Sequence, residues 1–185
     1  MELETRRLLL RPLRDEDTTC IAKHLNDFEV SQFLSRVPFP YSIENAQQFI
    51  AWQRTFDKRS LISGVCFKAD PEKIIGIVSC EHRTVSEPPE LGYWLARVFW
   101  GQRLMTEAAS ALVEHVFKLG RIDVLGSGYW NPISGRLLRN LGFTETGEKS
   151  SFSLSLNREV RVTTLSLTRA EWHTNNRQKG DSDGT

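Results

Sequence analysis

Apolar positions along the chain change spacing repeatedly, and each change marks the edge of an element. Arg6–Leu13 (RRLLLRPL) is a short apolar run closed by Pro12 and reads as a strand. Asp15 or Asp17 can then cap a helix carrying Ile21, Ala22, Leu25 and Phe28 on one face. Val37–Tyr41 is a loop broken by two prolines, after which Ser42 caps a second helix. Glu44 suits the N-terminus of that helix, and Ala46, Phe49 and Ile50 form its apolar side. Leu61–Ala69 and Lys73–Cys80 read as an antiparallel hairpin around an Asp70-Pro71-Glu72 turn. A polar loop, His82 to Pro89, leads into another strand, Glu90–Ala96.

Gly101 opens the longest helical pattern, with Met105, Ala108, Ala109, Leu112, Val113 and Val116 at three- and four-residue spacing and Gly120 at its end. Ile122–Tyr129 reads as a strand. Asn131-Pro132 then supplies a cap and a first-turn proline for a helix that places Ile133, Leu137, Leu138 and Leu141 inward and stops at Gly142. Phe152–Leu156 and Val160–Leu167 alternate as a second hairpin about Asn157-Arg158. From His173 to Thr185 there is no hydrophobic residue, which predicts a polar tail, disordered or a packing arm, beyond a single domain over residues 1–172. The order predicts an α+β fold: a mixed, mostly antiparallel sheet of about seven strands flanked by four helices.

Charge narrows the function. Lys and Arg number 24 against 23 Asp and Glu, a net charge of +1, so no global field draws the chain to nucleic acid or a membrane. No apolar run nears the roughly 18 residues that span a bilayer, and the first segment, Met1 to Asp17, has the form of no targeting signal. Cys20, Cys66 and Cys80 are far apart, with no CxxC pair and no histidine cluster. That usage predicts reduced thiols, a cytoplasmic location and neither a disulfide scaffold nor a metal site.

Candidate chemistry gathers between Glu90 and Phe143. The strand ELGYWLA runs into Trp100–Ala108 (WGQRLMTEA) at the head of the long helix, where free N–H groups and the helix dipole suit a phosphate. About 25 residues on, Asn131-Pro132-Ile133-Ser134 opens a helix that ends in Leu141-Gly142-Phe143. With RLLLRPLRDEDT, VPFPYSIENAQQFI and the closing hairpin, these segments resemble the GNAT acetyltransferase superfamily, more narrowly its ribosomal-protein N-terminal acetyltransferase branch, from Arg7 to about Trp172.

The resemblance implies acetyl-CoA bound in a cleft between two splayed parallel strands, and direct transfer of its acetyl group to a primary amine, either a protein N-terminus or a small amine. It implies that Trp94, Leu95 and Ala96 hold pantetheine and the acetyl oxygen, and that the amides of Gly101, Gln102, Arg103, Leu104, Met105 and Thr106 hold the pyrophosphate, with Arg97 nearby. Asn131 would hold pantetheine, Ser134 would protonate the thiolate, and Arg136 and Arg139 would meet the 3′-phosphate. Glu90 is the expected base and Glu81 the second choice, with His82 and His115 weaker. Phe33, Phe39, Tyr41, Trp52 and Tyr93 or Trp94 are candidates for the acceptor pocket. Relatives of this kind are often homodimers, although no exposed stripe here demands one.

One departure from the family loop stands out: Arg103 occupies the place of its second glycine. Arg103 could add a cation at the phosphate. Alternatively its Cβ crowds the cradle, leaving an inactive module that binds a ligand or partner. Glu107 reads as a carboxylate placed by the helix dipole.

Overall fold

A computed structural model of the chain describes residues 2–55, 59–82 and 87–182. Eight strands form one sheet: β1 Leu3–Glu4, β2 Leu8–Arg11, β3 Leu61–Phe67, β4 Asp70–Glu81, β5 Glu90–Leu95, β6 Val124–Tyr129, β7 Thr144–Ser153 and β8 Arg158–Thr168, in the order β1-β2-β3-β4-β5-β6-β8-β7. Every neighbouring pair is antiparallel except β5 and β6. Among the described residues six α-helices accompany it: α1 Thr18–Leu25, α2 Phe28–Ser31, α3 Ile43–Gln53, α4 Leu104–Lys118, α5 Pro132–Asn140 and α6 Arg169–Ser182. The mixed, mostly antiparallel α+β architecture is the expected one. No described helix is long and apolar enough to cross a membrane.

The helices bury the two faces of the sheet separately. Against one face α4 packs Ala108, Leu112 and Val116 on Leu91, Leu95 and Leu125. Against the other, Ile21, Leu25 and Ile50 of α1 and α3 cover Cys66, Ile74 and Ile77. The second face is pinned by Arg11 and Asp17, whose side chains are 1% and 2% exposed and joined by two 2.8 Å hydrogen bonds. Arg11 Nε also donates to the Pro71 carbonyl, tying the start of β4 to the chain ahead of α1.

Several boundaries depart from the pattern. The β3–β4 turn is Lys68-Ala69, so Asp70, Pro71 and Glu72 already belong to β4, and Phe67 pairs with Asp70. Asp17 does not cap α1, because its carboxylate is taken by Arg11 and by the Arg14 amide. Phe28 opens the separate helix α2 and is 38% exposed. In α5, Ile133 faces solvent while Leu138 and Leu141 are buried. The strand expected at Phe152–Leu156 is displaced: β7 runs Thr144–Ser153 and Leu154–Leu156 lie in the turn before β8; as an edge strand of mostly exposed residues β7 lacks an apolar alternation to read. The polar segment after Trp172 continues α6 to Ser182; buried Trp172 donates from Nε1 to Glu114 of α4 at 2.6 Å and anchors that helix. Of the polar loop expected from His82 to Pro89, residues 83–86 lie outside the described residues, as do 183–185 of the tail.

Candidate active site

Two parallel strands that part company create the site. β5 and β6 share a single register pair, Glu90 with Gly126, closed by the Gly126 amide on the Pro89 carbonyl at 2.8 Å. Beyond it Ser127 Oγ reaches the Leu91 carbonyl at 3.0 Å, and the strands then diverge. In an antiparallel ladder alternate residues turn their backbone groups to opposite sides. The Ala96 amide bonds Ile75 in the β4 direction, so Trp94 and Ala96 address β4, while Tyr93 and Leu95 turn toward the gap. The Leu95 carbonyl is taken by Trp100 Nε1 at 2.7 Å. Of the three strand residues expected to hold pantetheine, Leu95 presents its amide to the gap. Trp94 instead contributes its side chain to the wall, and Tyr93, which was not expected for this role, presents its amide.

A cavity of about 690 Å³ runs through this gap. Among the expected acceptor aromatics Phe33, Tyr41, Trp52, Tyr93 and Trp94 line it, whereas Phe39 lies outside, edge-on to Phe28. Segment 31–36 bridges to the far side: Ser155 Oγ donates to the Ser31 carbonyl at 3.0 Å, and the Leu154 amide to that of Ser35 at 2.9 Å.

Both candidate bases face the cavity. Glu81 and Glu90 are directly opposed in the β4–β5 ladder, and each is paired with a cation, as like charges so placed require. Glu81 is buried; its two oxygens accept from Ser79 Oγ at 2.8 Å and from Arg36 Nη2 at 2.7 Å, with the Arg36 guanidinium over the Trp52 ring. Glu90 Oε1 accepts from Lys149 Nζ at 3.0 Å. His82 and His115 do not line the cavity.

On the α5 side, Asn131 Oδ1 caps the helix by accepting from the Ile133 amide at 2.9 Å, which leaves its amide nitrogen for other partners. Ser134 lines the cavity; its carbonyl accepts from Tyr93 Oη at 3.3 Å. Burial pushes the Tyr93 phenol up to about 12, so it stays protonated at neutral pH. Arg136 is exposed on α5. Arg139 is committed elsewhere: it bonds Tyr129 Oη and Glu145 and lies over the Tyr129 ring. Arg97 pairs with Asp27 at 2.8 Å, which links the chain after β5 to the cap of α2.

The loop before α4 settles how Arg103 is accommodated. Gly101 and Arg103 both take left-handed backbone angles, with φ of 77° and 57°, so the right-handed helix cannot start before Leu104. Arg103 therefore adopts the backbone shape natural to glycine, at a cost of about 1–2 kcal/mol. Gly101, Gln102 and Arg103 are all exposed. The Glu107 amide makes the first bond back into the turn, to Arg103. The amides of Leu104, Met105 and Thr106 have no helical acceptor. The Leu104 and Met105 side chains are buried, so only their backbone can meet a ligand. Three converging donors at a helix dipole, with open space above Gly101, fit a pyrophosphate.

Sequence comparison agrees with this geometry. The family model for the acetyltransferase (GNAT) domain matches residues 7–144. The uncharacterized N-acetyltransferase YoaA of Bacillus subtilis (strain 168) is 28% identical over 160 residues, which is 78% of this chain and 84% of that protein. Among solved structures, the ribosomal-protein-S5-alanine acetyltransferase of Vibrio fischeri superposes with a TM-score of 0.76 at 20% identity, over 93% of this chain and 98% of that one. The ribosomal L7/L12 alpha-N-protein acetyltransferase RimL, in complex with coenzyme A, superposes with a TM-score of 0.76 at 18% identity, over 91% and 98%. At those identities the structural likeness speaks for the fold.

Proposed function

The chain belongs to the GNAT acetyltransferase family and is an acetyl-CoA-dependent acyltransferase, and from that premise we propose that it transfers acetyl directly to a primary amine, with a protein N-terminal α-amine as the leading candidate. The observation that carries the proposal is the gap between β5 and β6. It opens one cavity to a carboxylate on one side, Glu90, and to a hydroxyl on the other, Ser134. When bound, acetyl-CoA supplies an activated acetyl thioester. The amides of Leu104, Met105 and Thr106, with Gly101, Gln102 and Arg103 shaping the loop, would hold its pyrophosphate, while Asn131 and the Leu95 amide would hold pantetheine. Arg136 is the remaining cation of α5 for the 3′-phosphate.

Glu90 takes the proton that makes the acceptor amine nucleophilic. Glu81 serves as fixed negative charge, since both of its oxygens are occupied. The outward amide of Tyr93 stabilises the carbonyl oxygen as it gains charge. Ser134 Oγ gives a proton to the departing sulfur and regains one from solvent, while Glu90 releases the amine's proton to solvent. No described cysteine lines the cavity, which supports a ternary complex over an acyl-enzyme. The rival reading, an inactive module, rests on crowding of the cradle by Arg103; a gain in CoA affinity on Arg103→Gly would favour it, and a loss would make Arg103 a phosphate ligand.

The test is an acceptor panel of N-terminal peptides and small amines, read as thiol release from acetyl-CoA, with Glu90→Gln and Ser134→Ala alongside. Turnover with peptide N-termini that falls in both variants is the expected result. Release unaffected by either substitution would remove both residues from the mechanism.

A further inference from the structure

Arg7 and Glu107 form a brace that the proposed transfer leaves unused. Glu107, on the first turn of α4, accepts from Thr5 Oγ1 at 2.5 Å, from the Arg7 amide at 2.8 Å and from Arg7 Nε at 2.7 Å. Burial alone would push its carboxyl up, yet these donors hold it below the usual carboxylate range. Arg7 then reaches past it, donating from Nη2 to the Gln102 carbonyl at 3.1 Å. A guanidinium can grip a carboxylate and a carbonyl together because its donors fan out in a rigid fork.

Two physical needs meet in that contact. Gln102 stands between Gly101 and Arg103, both left-handed, so the peptide carrying its carbonyl is held in a conformation that non-glycine residues disfavour. A donor on that carbonyl tethers the conformation. Second, Glu107 places a negative charge within one turn of the amides that would receive phosphate. Uncompensated, it would oppose an anionic ligand there; the Arg7 guanidinium cancels it at 2.7 Å.

We infer that Arg7, in the connection between β1 and β2, is a positioning residue for the pyrophosphate, holding loop 101–103 in shape and neutralising Glu107 beside it. The inference rests on the reading that the head of α4 takes the phosphates. Calorimetric titration of CoA into wild type, Arg7→Met and Arg7→Lys tests it, with steady-state kinetics on the same proteins. Arg7→Met is expected to weaken CoA binding about tenfold, the scale of one lost charged hydrogen bond. Arg7→Lys falls between, since an ammonium can pair with Glu107 but not hold Gln102 as well. KM for acetyl-CoA rises in step while kcat and the acceptor KM stay within about twofold, a split that general loosening of the fold would not produce. Adding Glu107→Gln to Arg7→Met should recover part of the affinity by removing the bare charge.

CoA affinity within twofold of wild type in both variants overturns the inference, as does a joint fall in kcat and acceptor affinity. Should Arg7→Met not fold, Arg7→Lys alone carries the test. A wild type that binds no CoA overturns the α4 reading itself, and that control tells the two failures apart.

Discussion

Ser134 and Glu90 show how far single residues can be judged from their own surroundings. Ser134 sits on the first turn of α5 with its side chain at the cavity wall, and its carbonyl is bonded by a phenol held protonated. Its substitution by alanine is expected to lower kcat by roughly 10²-fold, the low end for a lost general acid, with KM for acetyl-CoA little changed; initial rates at saturating acceptor measure it. The places of both residues, though not their roles, were legible in the sequence, because an N-cap with a first-turn proline and a strand start locate them. Glu81 was legible only as a second choice. Its engagement by Ser79 and by Arg36, 45 residues away, is a property of packing that no local pattern encodes. The same is true of Arg139, which looks like a phosphate ligand on α5 and is spent on Tyr129 and Glu145.

Elements meet through contacts that tolerate little change. At Gly76 of β4 an added Cβ would come 2.3 Å from the Trp94 carbonyl of β5, a backbone atom that cannot step aside. Gly76→Ala is therefore expected to cost about 3 kcal/mol or more through overpacking, and, because it displaces β5, to lower activity as well; urea denaturation and turnover read the two effects. The Arg11–Asp17 pair holds β2 and the chain ahead of α1 to the start of β4 from a fully buried position. Asp17→Asn strands the Arg11 charge and should cost about 3–5 kcal/mol, seen as a lower urea midpoint with unchanged slope. From sequence, Asp17 reads as a helix cap, because local rules assign an aspartate before a helix to the nearest orphan amides. The partner that actually claims it lies across a turn.

For the whole molecule, buried thiols and phenols set the alkaline limit. Burial raises Cys80 from 9.0 to about 12 and Cys66 to about 11, and raises Tyr41 and Tyr93 from 10.0 to about 12. Between pH 9 and 12 the unfolded chain loses these protons before the folded one does, so stability is complete below pH 9 and declines as pH rises. Each group inside its window contributes a slope of about 1.4 kcal/mol per pH unit. Thermal midpoints measured from pH 8 to 11 should fall progressively more steeply, and Cys80→Ala should flatten the onset near pH 9–10.

At this scale the division between chain and fold is clear. The sequence by itself determined what depends on neighbours in the chain: the amphipathic stripe of α4, the caps at Ser42 and Asn131, the alternation of the buried strands, and the two helix-head motifs that point to CoA. Tertiary structure decided what depends on residues meeting from afar. It decided the one-pair parting of β5 and β6 that opens the cavity, which of the β5 amides face it, and the exposed edge strand β7. It also decided the tether from Arg7 to the glycine-like turn at Arg103, because a hydrogen bond across 95 residues exists only once the chain has folded.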